Sequence, residues 1–159
     1  MIDFSNFHII IDTREQHPWS FDHMEKSISK LDTGDYSLKG LEHIFCIERK
    51  GSVSEFANNI TEKRFKDVIE RMNKIPNSFL LCEFDLEDVL IYPVGSNVPK
   101  RMWDKLKISP KFILKHMIEL QIIYNIKLVF CGNASNAEKM AISIMRKIYE
   151  YHGQPKTDL

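Results

Sequence analysis

No stretch of this 159-residue chain stays apolar for more than a few residues, and Phe79-Leu80-Leu81-Cys82 is typical of the longest. Crossing a bilayer takes about 20 apolar residues, so no transmembrane helix is expected. Net charge is missing as well, since Lys+Arg and Asp+Glu both number 22. That excludes coating nucleic acid through overall charge and leaves room for a local basic cleft. Cysteine is scarce and odd in number. Cys46, Cys82 and Cys131 are far apart in hydrophobic stretches, which predicts free buried thiols in a reducing compartment such as a cytoplasm. No basic segment followed by an apolar run opens the chain, so no signal peptide is expected. Internal repeats and low-complexity tracts are absent too. His17 and His23 have no cysteine pair at zinc-ligand spacing, which makes them surface or loop residues. What is present is an ordinary globular composition, 43% hydrophobic and 28% charged, in a chain long enough for one domain with a sizeable core.

Hydrophobic periodicity then orders the chain. Phe7 to Ile11 is an apolar run ending at Asp12, as a buried strand does. Asp35 to Leu38 and His43 to Arg49 read as two strands of a hairpin turning at Lys39-Gly40. From Ser52 the period becomes helical. Val53, Phe56, Ala57 and Ile60 form one stripe; Phe65, Val68, Ile69 and Met72 form another that slips near Thr61, predicting a kink or two short helices. Asn77 to Phe84 and Lys127 to Phe130 are further strands. Ser109-Pro110 opens a helix between them, and Ser135-Asn136-Ala137-Glu138 reads as a capping box for the last one. The segment from Asp85 to Ser109 is a long loop with Pro93, Gly95 and Pro99, turning basic around Trp103. These signals predict an α/β domain with a central mixed sheet over residues 1–152, and a frayed tail over 153–159.

Chemistry concentrates in Ile47-Glu48-Arg49-Lys50 and the upstream Gly34-Asp35. Strand side chains alternate, so Glu48 and Lys50 share one face, Arg49 takes the other, and Asp35 can meet the first two across the hairpin. The strand is apolar on both faces, which predicts a central position, and a charge emerging there is costly without a partner. Two carboxylates offer the hard oxygen ligands suited to Mg2+, with an ammonium beside them.

In order and on matching elements, three motifs resemble those of the XPF-type structure-specific endonucleases, within the restriction-endonuclease-like superfamily. They are Ile11-Asp12-Thr13-Arg14-Glu15, Gly34-Asp35-Tyr36 and Glu48-Arg49-Lys50, and Arg64-Phe65 follows where that family has a helical arginine. The resemblance implies a three-layer fold with a mixed sheet between helices. It implies a metal-dependent DNA endonuclease acting on branched or structured DNA in repair, recombination or replication. Asp35 and Glu48 would be ligands of Mg2+ (or Mn2+), and Asp12 a third acid that binds or orients metal and water. Lys50 would position or deprotonate the attacking water. Arg14, Glu15 and Arg49 would support the site or contact phosphate, and Arg64 the DNA backbone. Stand-alone domains of this kind resemble small phage or bacterial nucleases, acting in the cytoplasm of a bacterium or of a phage-infected host.

Several of these residues also have plainer readings. Asp12 can cap the turn after its strand, and Arg49 can make a structural ion pair, with Glu15 for example. Lys63, Arg64, Lys66, Arg71 and Lys74 can be the solvated face of a helix. The family has an aspartate four residues after the lysine, where this chain has Ser54 and then Glu55; Ser52 to Glu55 reads better as a capping box. Lys100 and Arg101 are candidates for DNA phosphate contact, with Trp103 stacking, or belong to a covering segment with Trp103 in a satellite core, the reading that suits the tryptophan better. The tandem helix-hairpin-helix module that many relatives carry is not expected after Tyr151. Branch recognition would then come from a homodimer or a helper protein, or cutting would be less selective. A catalytically silent DNA-binding or partner-docking domain is the alternative, as is hydrolysis of another phosphate ester; the retained acids and lysine favour the nuclease.

Overall fold

A computed structural model describes residues 1–153. The predicted tail therefore lies, except for Gly153, outside the described residues. Six strands form one mixed sheet: β1 (Ile9–Ile11), β2 (Lys26–Ile28), β3 (Tyr36–Leu38), β4 (Phe45–Lys50), β5 (Asn77–Cys82) and β6 (Ile126–Phe130). Their order is β2-β1-β3-β4-β5-β6. β3 runs antiparallel to both its neighbours, β1 and β4, whereas β4, β5 and β6 run parallel. The helices are α1 (Val53–Asn59), α2 (Lys63–Asn73), α3 (Leu86–Leu90), α4 (Pro110–Ile122) and α5 (Ala134–His152), with a 3-10 turn at Lys100–Lys105. Among the described residues, no helix is long and apolar enough to cross a membrane.

Two apolar clusters separated by the sheet make the three layers. Phe56, Phe65 and Met72 of α1 and α2 and Ile113 and Met117 of α4 pack with Cys46 and Leu80 on one face. On the other, Ala137, Ala141 and Met145 of α5 pack with Phe45, Ile47, Tyr36 and Trp19. Burying a side chain such as Phe56 stabilises the fold by about 1.5–3 kcal/mol. The predicted break near Thr61 is real, because α1 ends at Asn59 and α2 begins at Lys63. β4 lies between β3 and β5, which explains why it is apolar on both faces.

Two elements and one cap depart from the sequence reading. β2 is a three-residue, fully exposed edge strand parallel to β1; with no buried face it has no alternation to read. α3 lies inside the segment expected to be loop, started by reciprocal hydrogen bonds between Asp85 and Asp88. The cap of α5 is Asn133, whose side chain accepts from the Asn136 N–H, not Ser135. Glu138 instead accepts from the Phe21 N–H (2.7 Å) and the Ser20 hydroxyl, and so ties α5 to the loop after β1.

Candidate active site

The site is built where β4 ends. Cys46 faces the α1–α2 layer and Ile47 the α5 layer, so alternation sends Glu48 and Lys50 toward α2 and Arg49 toward Trp19. Lys50 Nζ lies 5.0 Å from the Phe65 ring centroid, and the Arg49 guanidinium 5.0 Å from that of Trp19. Glu48 and Lys50 are each only 7% exposed. Lys50 Nζ is 3.8 Å from Glu48 Oε2 and 3.7 Å from Glu55 Oε1.

Asp35 arrives through the turn before β3. Gly34 has φ +84, and a Cβ there would sit 2.9 Å from Cys46 Cβ, so only glycine lets this turn press against β4. The Asp35 N–H donates to the Ile47 carbonyl, and the Arg49 N–H donates back to Asp35 Oδ2 at 2.8 Å. Asp35 is thereby held beside Glu48. Burial first, and the Glu48 carboxylate second, push the Asp35 carboxyl well above the usual aspartate range. Such a pair calls for a cation, and two hard oxygen donors fit Mg2+, which completes its shell with water and phosphate oxygens. Among the described residues, no group of three or more His, Cys, Asp or Glu is arranged to hold a metal.

Asp12 is 2% exposed and sits opposite Asp35, whose carbonyl accepts from the Asp12 N–H at 2.9 Å. Its Oδ1 accepts from the Leu31 N–H (2.8 Å), and its Oδ2 from Arg14 Nε (2.7 Å) and the Arg14 N–H (3.2 Å). Burial works to raise its carboxyl, and these donors overcome it and hold it below the ordinary aspartate value. Most of its acceptor capacity is thus spent fastening the loop, as the capping reading expects. Arg14 also donates to the Leu31 carbonyl and is otherwise exposed.

Arg49 anchors a second network on the far side of β4. Its Nε pairs with Glu83 Oε2 at 3.0 Å, and Glu15 is more distant at 4.0 Å. Arg49 Nη1 donates to the His17 carbonyl. Trp19 Nε1 donates to the same Glu83 oxygen at 2.8 Å, and its ring stacks on Tyr36 at 4.6 Å. Burial, above all, raises the Glu15 carboxyl.

Asp12, Arg14, Glu15, Asp35 and the Glu48–Lys50 segment all border one cleft of about 610 Å³, whose α2 wall carries Arg64, Val68 and Arg71. Lys100 and Arg101 do not border it. Both are exposed on the 3-10 turn, beyond a second groove. Glu55 combines two functions. Its N–H receives the Ser52 cap, while its carboxylate accepts the Gly51 N–H and stands beside Lys50.

The sequence profile of the ERCC4 domain matches residues 11–142. The chain belongs to the ERCC4 domain family. In solved structures, this ERCC4 domain is similar to XPF from Aeropyrum pernix at 18% identity and a TM-score of 0.67, over 96% of this chain and 65% of that one. It is also similar to XPF from Aeropyrum pernix in complex with DNA, at 20% identity and a TM-score of 0.61, over 96% of this chain and 68% of that one. These likenesses are likenesses of fold, and this ERCC4 domain covers about two thirds of those chains. No curated protein matches the sequence. The expected three-layer, mixed-sheet architecture is the one observed.

Three residues of the ERCC4 domain site escaped the sequence reading. Glu83 and Trp19 are far apart in sequence: β5 beside β4 brings Glu83 to Lys50 and Arg49, and the loop after β1 brings Trp19 to it, which no local signal reports. The sequence pattern sets Arg71 among the solvated cations of α2. Its separation of seven residues from Arg64, two helical turns, was the available sign that both share one face.

Proposed function

We propose that this chain is a metal-dependent endonuclease that hydrolyses phosphodiester bonds in branched or structured DNA. The observation that carries this is the Asp35–Glu48 pair, two apposed carboxylates beside the Lys50 ammonium on the floor of an arginine-rimmed cleft. Asp35 and Glu48 would hold Mg2+ or Mn2+, with Asp12 acting through the loop it fastens and through bound water. A bound divalent ion lowers the pKa of its water and stabilises charge on the phosphate. Lys50 places a fixed positive charge next to those carboxylates, where it offsets negative charge on the phosphate and orients the attacking water. Glu55 holds that ammonium in place from the other side. Arg14, largely exposed at the mouth, is available for a phosphate oxygen.

Incubating the protein with branched, nicked and linear DNA, in Mg2+, in Mn2+ and in chelator, tests this directly. Cutting is expected with either metal and not with chelator. DNA left intact in every condition while still being bound would sink the nuclease and favour the silent-domain alternative.

The α2 wall makes a separate prediction. Arg64 and Arg71 are exposed and line the cleft, and their guanidinium groups have no hydrogen-bond or ion-pair partner among the described residues. Seven residues of helix separate them by about 10.5 Å, roughly three nucleotide rises along one strand. Arg64→Ala and Arg71→Ala should each reduce the slope of log affinity against log salt by about 1, with the double substitution near 2. Unchanged slopes would return these residues to the solvated face.

A further inference from the structure

The chain is neutral overall, yet its positive charge is unevenly placed. Lys100, Arg101, Lys105 and Lys107 fall within eight residues that contain Asp104 as the sole acid. This stretch leads into α4, which runs back along β6, so it stands at the same sheet edge as the C-terminal ends of β4 and β5. That is also the edge at which the cleft opens, and ligands of parallel sheets gather at such edges.

Between the cleft and the basic turn lies a groove of about 240 Å³, walled by Ser52 and Ser54 at the start of α1 and by Val94 to Asn97 opposite. Gly51 borders both cavities. Having no side chain, it raises no barrier between them, and its Cβ position is flanked by the Glu55 and Glu83 carboxylates. The groove is too small for a duplex and suits a single extended strand. Its one acid, Asp88, is engaged by the Asp85 N–H at 2.8 Å. Beyond Asn97 the chain runs directly into Lys100 and Arg101. There Trp103 is fixed by its Nε1 donating to the Val98 carbonyl at 3.0 Å, half-exposed, with Lys100 Nζ 6.0 Å from its centroid. Cations around a held aromatic ring are what single-stranded nucleic acid requires, namely phosphate contact and a stacking platform.

We infer that a single-stranded DNA arm leaves the cleft over Gly51, follows this groove, and is gripped by Lys100, Arg101 and the Trp103 ring. The inference rests on the nuclease reading for the duplex part of the substrate, and it places branch recognition within this chain.

The test measures binding of a splayed-arm duplex and of a nicked duplex of equal length to the whole protein in chelator. It also follows tryptophan emission during titration with an oligothymidylate. Lys100→Glu combined with Arg101→Glu, and separately Asn97→Trp to fill the groove, should each reduce the preference for the splayed arm about tenfold or more. Oligothymidylate should quench emission in the wild type and much less in Trp103→Phe, because Trp19 is buried. Melting temperatures within a few degrees of wild type would show that the variants fold. Equal losses on both DNAs would mean general electrostatic attraction, and unchanged preference with unquenched emission would mean another path; either overturns the arm site. Quenching that persists in a wild-type protein unable to cut any DNA would instead uphold the arm site and defeat the nuclease.

Discussion

Asp35→Asn is expected to abolish metal-dependent cleavage and, at neutral pH without metal, to make the protein more stable. Both effects come from one cause. In the folded chain Asp35 is held against Glu48 with little solvent, so its carboxyl keeps its proton at pH values where the unfolded chain has lost it. Folded protein therefore binds more protons than unfolded protein, from about pH 3.9 up to the raised value, and stability falls as pH rises through that window. Asparagine accepts the same Arg49 N–H hydrogen bond and offers Glu48 a donor without a charge. Removing the repulsion should add about 1 kcal/mol or more, raising Tm by about 2–4 °C for a chain of this size. Adding Mg2+ should invert the order, raising Tm in the wild type and not in the variant. Cleavage should fall about a thousandfold. The checks are thermal melts across pH with and without Mg2+, and single-turnover cutting. A variant that cuts like wild type, or whose Tm still responds to Mg2+, would remove Asp35 from the metal site.

Lys50→Met and Arg49→Met should then separate by kind of damage, although the residues are adjacent. Lys50 faces the cleft between Glu48 and Glu55. Methionine keeps the contact with Phe65, and the neighbouring acids can take up protons, so the stability loss should be about 1–2 kcal/mol. Cleavage should drop about 10²–10³-fold. Arg49 lies on the opposite face of the strand, toward Trp19, and neutralises Glu83, whose side chain is 7% exposed. Without Arg49 that carboxylate keeps only the Trp19 donor, so the loss should approach about 3 kcal/mol, or a Tm lower by about 6–12 °C. Glu83→Gln should restore part of the stability to Arg49→Met, which a phosphate-contacting role for Arg49 would not produce. Denaturant melts and cleavage rates on all three proteins decide the matter.

Much of this arrangement was legible in residue order. The alternation Cys46, Glu48, Lys50 against Ile47 and Arg49 placed acid and ammonium on one face and the guanidinium on the other, because strand periodicity is a local property of the backbone. The Thr61 break and the Ser109 cap were equally local. Glu55 shows where local reading stops. The sequence signalled a cap, and a cap receives its N–H, but the carboxylate, five residues beyond the strand end, turns back to Lys50. That depends on how α1 leaves β4, which no spacing specifies.

The same division holds for the site as a whole. Glycine at 34 and acid–base alternation at β4 were enough to point at a cluster of charges, since turn chemistry and strand period act within a few residues. The fold had to bring Glu83 to Arg49, Arg71 to the cleft wall, and the groove past Gly51 to Lys100. Those neighbours are separated by dozens of residues or by a helix packing angle, and long-range packing sets them.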